Sequence, residues 1–372
     1  MNIVIDCRMY SESGIGRYIR NLVFQLQQLD QKNLYYLLYL NKEYKTLQHR
    51  SNFRKVLADF KWYGVAEQIK LLGLLRSLKP DLVHFPHFNT PFFYIGKYIV
   101  TIHDLIHQHF SMKRATTHGS VIYKIKQAGY KIIFKNALFK SAKILVPSQF
   151  VKDQLIGDWQ VNTEKIIVTP EAVDSNIKYQ ISKIKDEMVL KKFNIKKPYI
   201  FYVGNAHPHK NIEGLIRVFM VLREKYHRLQ LVLSGHDHYF WEKIRKNNKH
   251  KDIIYTGKIN DEELVVLYKN AKCFVMPSFE EGFGIPILEA MACGCCVVSS
   301  NKGALSEVGG DAVVYFDPYN AEDMIEKIES VLKSDKLRQG LIKLGYERVG
   351  GFSWEKLARQ TLEVYESSYC TR

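Results

Sequence analysis

The sequence predicts an α/β protein of two doubly wound domains, each a parallel sheet covered by helices on both faces. Short apolar runs alternate with longer amphipathic segments, which is the pattern of parallel strands joined by helices. A polar, lysine-rich passage at residues 174–197 interrupts this alternation, which then restarts. The chain of 372 residues is also too long for one ordinary core and suits two.

The first domain is expected over residues 1–175. Its candidate strands are short apolar runs, and its candidate helices repeat apolar residues at spacings of three and four. The strands are Ile3–Ile5, Tyr35–Leu40, Leu82–Phe85, Tyr98–Ile102, Ile144–Val146 and Ile166–Val168, and the helices are Gly16–Leu29, Ala66–Leu78 and Val121–Phe139.

The second domain is expected over residues 176–350. Its alternation consists of a strand at Tyr199–Val203, a helix at Ile212–Glu224, a strand at Leu231–Ser234, a helix at Asp261–Asn270, a strand at Cys273–Met276, a helix from Pro286, and strands near Val297 and Val313. Pro286 suits the start of a helix because the first turn needs no proline N–H. A last helix, Trp354–Tyr365, lies within residues 351–372.

The positive charge is concentrated in the first half of the chain. Of the net charge of +16, residues 1–178 carry +12, from 25 basic and 13 acidic residues. Residues 105–152 contain no acid, and there Lys124, Lys131 and Lys135 are interleaved with aromatic residues. A basic helix with aromatics predicts contact with an anionic membrane surface, and an ordinary solvated helix is the alternative.

The segment Glu281–Glu289 places two carboxylates eight positions apart, the first in a glycine-rich loop and the second inside a helix. Glycines let backbone amides approach a ligand, and a helix N-terminus suits a phosphate. Glu289 is placed to accept hydrogen bonds from ribose hydroxyls, and Glu281 to reach a sugar beyond the phosphates. The segment therefore predicts a nucleotide-sugar site, and a pair of solvated acids is the alternative.

This segment resembles the signature of the retaining glycosyltransferases of family 4. The resemblance implies the GT-B architecture, two Rossmann-like domains that face each other across a cleft, with the helix within residues 351–372 packing back on the first domain. It also implies that Glu289 holds the nucleotide ribose and that Glu281 contacts the transferred sugar. Loop amides at Phe283, Gly284 and Ile285 would then bind the sugar and the diphosphate.

In the first domain, Gly14 and Gly16 form a glycine turn that opens a helix after the first strand. The turn lacks the third glycine of a dinucleotide fingerprint, and close approach to a phosphate or sugar explains it better than NAD binding. A plain tight turn is the alternative. The resemblance places this loop beneath the donor diphosphate and beside the acceptor, where Arg17 would reach an acceptor phosphate.

Two further strand ends in the first domain carry histidines. His103 and Asp104 follow one strand, and the resemblance gives His103 a contact to the transferred sugar, with Asp104 orienting its ring. His87 lies in a loop that suits either an acceptor wall or domain packing.

The loop from Gly204 to Asn211 follows the first strand of the second domain. The resembling family commonly has an arginine and a lysine there. Lys210 matches the lysine, a compact cation able to neutralise growing diphosphate charge. Asn205 occupies the position where the arginine is expected, so the loop has one positive charge fewer. Either His207, His209 or a residue of the other domain supplies the missing charge, or one cation is enough.

The resemblance implies an enzyme that transfers a sugar from a nucleoside diphosphate to an acceptor hydroxyl with retention. The glycine turn and residues 205–211 are similar to those of bacterial mannosyltransferases of surface-polysaccharide synthesis, so the donor is expected to be GDP-mannose first and a UDP-sugar second. A lipid-linked or polysaccharide acceptor fits the basic first domain. No D-x-D pair follows a strand, so no metal and no cofactor besides the donor is expected.

The predicted location is the cytoplasm, with peripheral association at the inner face of the cell membrane. The first strand carries an acid where a signal peptide would be apolar, and no run of eighteen apolar residues occurs.

Two alternative functions come from other classes of protein. A GT-B epimerase of nucleotide sugars would share the fold. A nucleic-acid-binding protein would explain the charge but not the motifs of the second domain, so nucleic acid is not an expected partner.

Overall fold

The computed structural model describes residues 1–110, 120–175, 177, 185–235 and 239–370, with only the backbone described for residues 120–126. The chain divides into two compact units. The first comprises Met1–Leu105, Thr116–Glu171 and Ser353–Arg372, and the second comprises Ile106–Ala115 and Ala172–Phe352. The short segment that begins at Ile106 therefore groups with the second unit, although it lies between two strands of the first.

The first unit contains a seven-stranded parallel sheet in the order β3-β2-β1-β4-β5-β6-β7. Its strands are β1 Asn2–Asp6, β2 Leu34–Tyr39, β3 Phe53–Leu57, β4 Leu82–Phe85, β5 Tyr98–Thr101, β6 Lys143–Val146 and β7 Ile166–Val168. With helices numbered along the whole chain, this unit contains α1 Gly14–Leu29, α2 Asn41–Thr46, α3 Val65–Leu78, α5 Ser120–Lys140, α6 Gln149–Trp159 and α15 Trp354–Cys370.

The last helix is an integral part of the first unit. It packs on α1 and on the strands β4 and β6. The hydroxyl of Tyr365 lies 2.7 Å from Nδ1 of His84, which is fully buried in β4. Burial, with the nearby charge of His103, lowers the pKa of His84 to about 3, so its imidazole is neutral and serves as a core hydrogen-bonding group.

The second unit contains a six-stranded parallel sheet in the order β10-β9-β8-β11-β12-β13. Its strands are β8 Tyr199–Val203, β9 Gln230–Ser234, β10 Ile253–Gly257, β11 Cys273–Met276, β12 Val297–Ser300 and β13 Val313–Phe316. Its helices are α4 Ile106–His109, α7 Asp186–Lys192, α8 Ile212–Lys225, α9 Tyr239–Asn247, α10 Asp261–Asn270, α11 Ile285–Ala292, α12 Leu305–Gly309, α13 Ala321–Lys333 and α14 Asp335–Gly350.

Both sheets reverse their strand order next to their first strand, between β1 and β4 and between β8 and β11. In open α/β sheets, ligands bind at the carboxyl ends of the strands beside such a reversal. The loops that follow β4, β8 and β11 contain several of the residues that the sequence selects, and the helix that follows β1 begins at Gly14. The doubly wound α/β class that the sequence predicts is confirmed.

None of the helices in the described part of the chain combines the length and apolar composition needed to span a bilayer.

Candidate functional site

In the second unit, a buried ion pair joins the loops after β8 and β11. Nζ of Lys210 lies 2.6 Å from Oε1 of Glu281, and the two side chains are only 13% and 9% exposed. The hydroxyl of Ser278 donates to the same carboxylate oxygen at 2.6 Å. Because little water screens this pair, its electrostatic interaction is stronger than that of a surface pair.

The backbone around Glu281 is held by two neighbouring loops. The amide of Ala304 donates to the carbonyl of Glu281 at 3.0 Å, and the amide of Phe279 donates to the carbonyl of His209 at 2.7 Å. Gly303 has φ +65°, and a Cβ there would lie 2.6 Å from both the amide nitrogen and the carbonyl oxygen of Glu281. A side chain at position 303 would therefore displace the backbone that carries the carboxylate.

Helix α11 begins directly after this loop. Gly284 precedes the helix with φ +101°, and a Cβ there would lie 2.7 Å from Cδ2 of Leu305. Pro286 lies in the first turn, as its missing N–H favours. The ring of Phe283 is buried and packs edge to face on Phe352, with centroids 5.8 Å apart. Any ligand contact at Phe283 would accordingly come from its backbone.

The carboxylate of Glu289 lies within α11 and is almost fully enclosed. The residue is 2% exposed, and Oε2 accepts a hydrogen bond of 3.2 Å from the hydroxyl of Tyr268 on α10. Glu281 is 7% exposed. The alternative that both acids are solvated surface residues is therefore wrong. Sequence reasoning missed Tyr268, which no motif marks.

The loop after β8 uses Asn205 to shape its turn. The side-chain oxygen of Asn205 accepts a hydrogen bond from the amide of His207 at 3.3 Å, and the backbone carbonyl of Asn205 accepts one from the hydroxyl of Tyr202 at 2.8 Å. Gly204 has φ +155°, and a Cβ there would lie 2.7 Å from that hydroxyl. A short 3-10 turn, Pro208–Lys210, then presents the lysine.

His209 is not the additional cation that the sequence leaves open. It is 5% exposed, and burial together with the charge of Lys210 and of neighbouring histidines lowers its pKa to about 2. The imidazole is therefore neutral near pH 7, because it binds a proton only well below that pH. The backbone carbonyl of His209 still holds the loop of Glu281, because it accepts the hydrogen bond from the amide of Phe279.

In the first unit, His103 follows β5 and is fixed at both ring nitrogens. Nδ1 lies 3.1 Å from Oε1 of Glu171, and Nε2 lies 3.0 Å from the carbonyl oxygen of Pro86. Burial alone lowers the pKa of His103, but the hydrogen bond and charge of Glu171, the Pro86 carbonyl and the charge of Asp104 together raise it. Since both neighbours are acceptors, the protonated ring is favoured. Glu171, which the sequence reasoning missed, holds Nδ1 of the ring.

The two glycines of the turn differ in what surrounds them. A Cβ on Gly16 would lie 2.5 Å from the carbonyl oxygen of Tyr10, so the close packing of α1 on the preceding loop already requires this glycine. A Cβ on Gly14 would meet no atom of the described chain within 4 Å, which leaves this position open to a ligand. Arg17 is half-buried on α1.

A charged cluster that the sequence reasoning missed lies at the carboxyl ends of β1 and β4. Arg8 is 3% exposed and forms ion pairs of 2.6 Å with Asp6 and with Glu67, whose other oxygen accepts from Asn89 at 2.6 Å. Arg8, Asp6 and Asn89 line a pocket together with His87. An arginine two positions after an acid at a strand end was the only signal available in the sequence.

Helix α5 presents lysines and apolar side chains to solvent. Lys131 and Lys135 are exposed, and Ile132 is 55% exposed. At the end of the helix, Nζ of Lys140 lies 5.0 Å from the ring centroid of the half-buried Phe92, in a loop that exposes Phe93 and Ile95. The side chain of Lys124 lies outside the described residues.

The described residues contain no group of three or more His, Cys, Asp and Glu side chains arranged to hold a metal ion.

Comparison with known proteins identifies the family. Residues 184–348 match the model of the glycosyl transferases group 1, and residues 13–176 match that of Glycosyltransferase Family 4. The O-antigen chain mannosyltransferase B of Escherichia coli is 30% identical over 96% of this chain and 97% of that protein. The chain belongs to the family 4 glycosyltransferases.

Two solved structures share the fold of this chain. Sucrose-phosphate synthase from Thermosynechococcus elongatus superposes with a TM-score of 0.78 at 18% identity, covering 100% of both chains. HepE from Anabaena, in complex with UDP and glucose, has a TM-score of 0.72 at 16% identity, covering 99% of this chain and 100% of that one. The predicted family and the GT-B fold are both confirmed.

Proposed function

We propose that this glycosyltransferase transfers mannose from GDP-mannose, with retention, to a hydroxyl of a lipid-linked or polysaccharide acceptor. The observation that carries the proposal is the buried pair of Lys210 and Glu281 beside the start of α11. It places a cation, a carboxylate and a helix N-terminus at the strand reversal of one sheet. The name of the Escherichia coli relative supports the choice of mannose and of a polysaccharide acceptor.

The proposed mechanism is mainly electrostatic. As the bond between the sugar and the diphosphate breaks, negative charge grows on the leaving phosphate, and Lys210 and the amides at Gly284 and Ile285 stabilise it. Glu281 and His103 position the sugar, and Glu289 holds the ribose. The departing phosphate oxygen accepts the proton of the acceptor hydroxyl as the new bond forms on the same face, so no covalent nucleophile is needed.

Gly204, Asn205 and Gly14 are proposed to shape the donor site through their backbones. Arg17 and His87 are proposed to face the acceptor. These assignments rest on the family resemblance and on the position of each residue after a strand.

The proposed donor is tested by titrating the protein with GDP, UDP and dTDP and then assaying transfer from the corresponding sugar nucleotides. We expect GDP to bind most tightly and GDP-mannose to support transfer, with UDP-sugars as the second choice. Transfer should persist in excess chelator, because Lys210 and α11 supply the positive charge that a metal would otherwise provide. Equal affinity for all three nucleotides, or loss of transfer with chelator, would contradict these parts of the proposal.

A second expected result concerns the proposed cytoplasmic membrane surface. Vesicles that contain anionic lipid should bind the protein more strongly than neutral vesicles. Binding should weaken as salt is added, because salt screens the attraction between exposed lysines and anionic lipid. Substituting Glu for both Lys131 and Lys135 should release most of the protein in a flotation assay. The same substitutions at Lys246 and Lys249, exposed lysines of the second unit, provide a control of equal charge change. Equal release by both pairs would reject α5 as the membrane-binding surface.

The epimerase alternative has no support among the comparisons, which match transferases.

A further inference from the structure

An exposed tyrosine follows the last strand of the second sheet. Tyr319 lies in the turn after β13, at the same edge of the sheet as the loops of the candidate site, and is 69% exposed. Its ring stacks on Phe279, with centroids 4.7 Å apart and planes 21° from parallel. Phe279 is two positions before Glu281, so the tyrosine ring rests directly on the loop that carries the carboxylate.

The backbone of this turn is firmly held. The amide of Asp317 donates to Asp323 at 2.7 Å, and the amide of Tyr319 donates to the side chain of Asp317 at 3.1 Å. The side-chain amide of Asn211 donates to the carbonyl of Pro318 at 3.3 Å. Asn211 directly follows Lys210, so hydrogen bonds connect the turn to the loop of the cation as well.

A third aromatic ring, that of Phe110, lies next to Phe279. The ring of Phe110 is parallel to that of Phe279 within 15°, with centroids 6.5 Å apart. Aromatic rings offer a large contact area and lose little side-chain entropy when a ligand binds. Such a stack is therefore a preorganised binding surface. The stacking leaves the tyrosine ring supported from beneath while most of its area stays open to solvent.

Charged groups flank the open ring. Nζ of Lys302 lies 6.0 Å from the ring centroid of Tyr319 and 3.6 Å from Oδ1 of Asp317. The Lys302 and Asp317 side chains are 38% and 44% exposed, so both can exchange their mutual contact for a ligand. A pyranose has an apolar face of C–H groups and an edge of hydroxyls. An aromatic plane beside one donor and one acceptor matches both features.

We propose that Tyr319 is the platform of a saccharide subsite that binds a pyranose unit of the acceptor glycan, with Lys302 and Asp317 binding its hydroxyls. This inference rests on the proposed function for the choice of a mannose-containing glycan. It adds a glycan contact on the second unit, in a turn that the nucleotide-sugar motif does not include.

The test measures glycan binding separately from nucleotide binding. Free α-linked manno-oligosaccharides are titrated into the wild type, Tyr319→Ala and Tyr319→Phe, with Tyr346→Ala as the control for loss of an exposed tyrosine ring. We expect Tyr319→Ala to weaken oligosaccharide binding about tenfold, Tyr319→Phe to retain most of it, and Tyr346→Ala to leave it unchanged. GDP affinity and thermal stability should be unchanged in all three variants.

Two results would overturn the subsite: oligosaccharide affinity that is equal in Tyr319→Ala and wild type, or no oligosaccharide binding by the wild type. A wild type that binds oligosaccharide through Tyr319 but does not bind GDP would instead reject the proposed donor and leave the platform standing.

Discussion

Replacing Lys210 with methionine is expected to lower kcat for transfer by about 10²–10³-fold, the loss typical of removing one group that stabilises developing charge. Methionine has a similar unbranched shape but no charge, so the leaving diphosphate loses its nearest proposed cation. The effect should fall mainly on kcat, because the lysine acts most strongly when charge has developed in the transition state. Steady-state kinetics with GDP-mannose measure the split between kcat and KM.

The same substitution should also destabilise the fold, because it leaves Glu281 buried without its cation. Removing one partner of a buried ion pair costs about 3–5 kcal/mol in the free energy of unfolding. The double variant Lys210→Met with Glu281→Gln removes both charges and should recover most of that stability, as measured by denaturant unfolding. It should not recover transfer. A single variant with wild-type kcat, or a double variant with restored activity, would contradict the role of Lys210.

Much of the fold was predictable because buried parallel strands leave a clear signal. The strands β8 and β11 are continuous apolar runs, and the structure places them where the sequence does. β3 was missed because it is an edge strand whose Arg54 and Lys55 face partly to solvent, so it lacks an apolar run. α13 and α14 were also missed, although Asn320 and Ser334 cap their first turns with side-chain hydrogen bonds.

Only the part of the candidate site that lies within a local sequence motif was predictable. The chain positions of Lys210 and Glu281 indicated a function for each, but their ion pair joins loops that are distant in sequence. The residues that hold the motif in place come from elements with no recognisable pattern: Gly303 against the backbone of Glu281, Tyr268 on Glu289 and Glu171 on His103. Such partners depend on tertiary packing, which periodicity and spacing along the chain do not specify.

Glu289→Gln is expected to weaken GDP binding by about 10–100-fold, since hydrogen bonds to a charged acceptor are each worth about 1.5–3 kcal/mol. Glutamine keeps the size of the side chain and its contact with Tyr268, so the fold should be retained. The expected loss of affinity comes from the ribose contact alone, because the ribose hydroxyls would donate hydrogen bonds to the carboxylate of Glu289. Calorimetric titration with GDP measures the effect.

Inorganic pyrophosphate distinguishes a ribose contact from general damage to the donor site, because it has the phosphates but no ribose. Its affinity should be the same in Glu289→Gln and wild type, since Lys210 and the start of α11 remain intact. Tyr268→Phe is the matched control, because it removes only the hydroxyl that donates to Glu289 at 3.2 Å and should change GDP binding much less. If pyrophosphate and GDP weaken equally in Glu289→Gln, the carboxylate supports the packing of α11 and the ribose assignment fails.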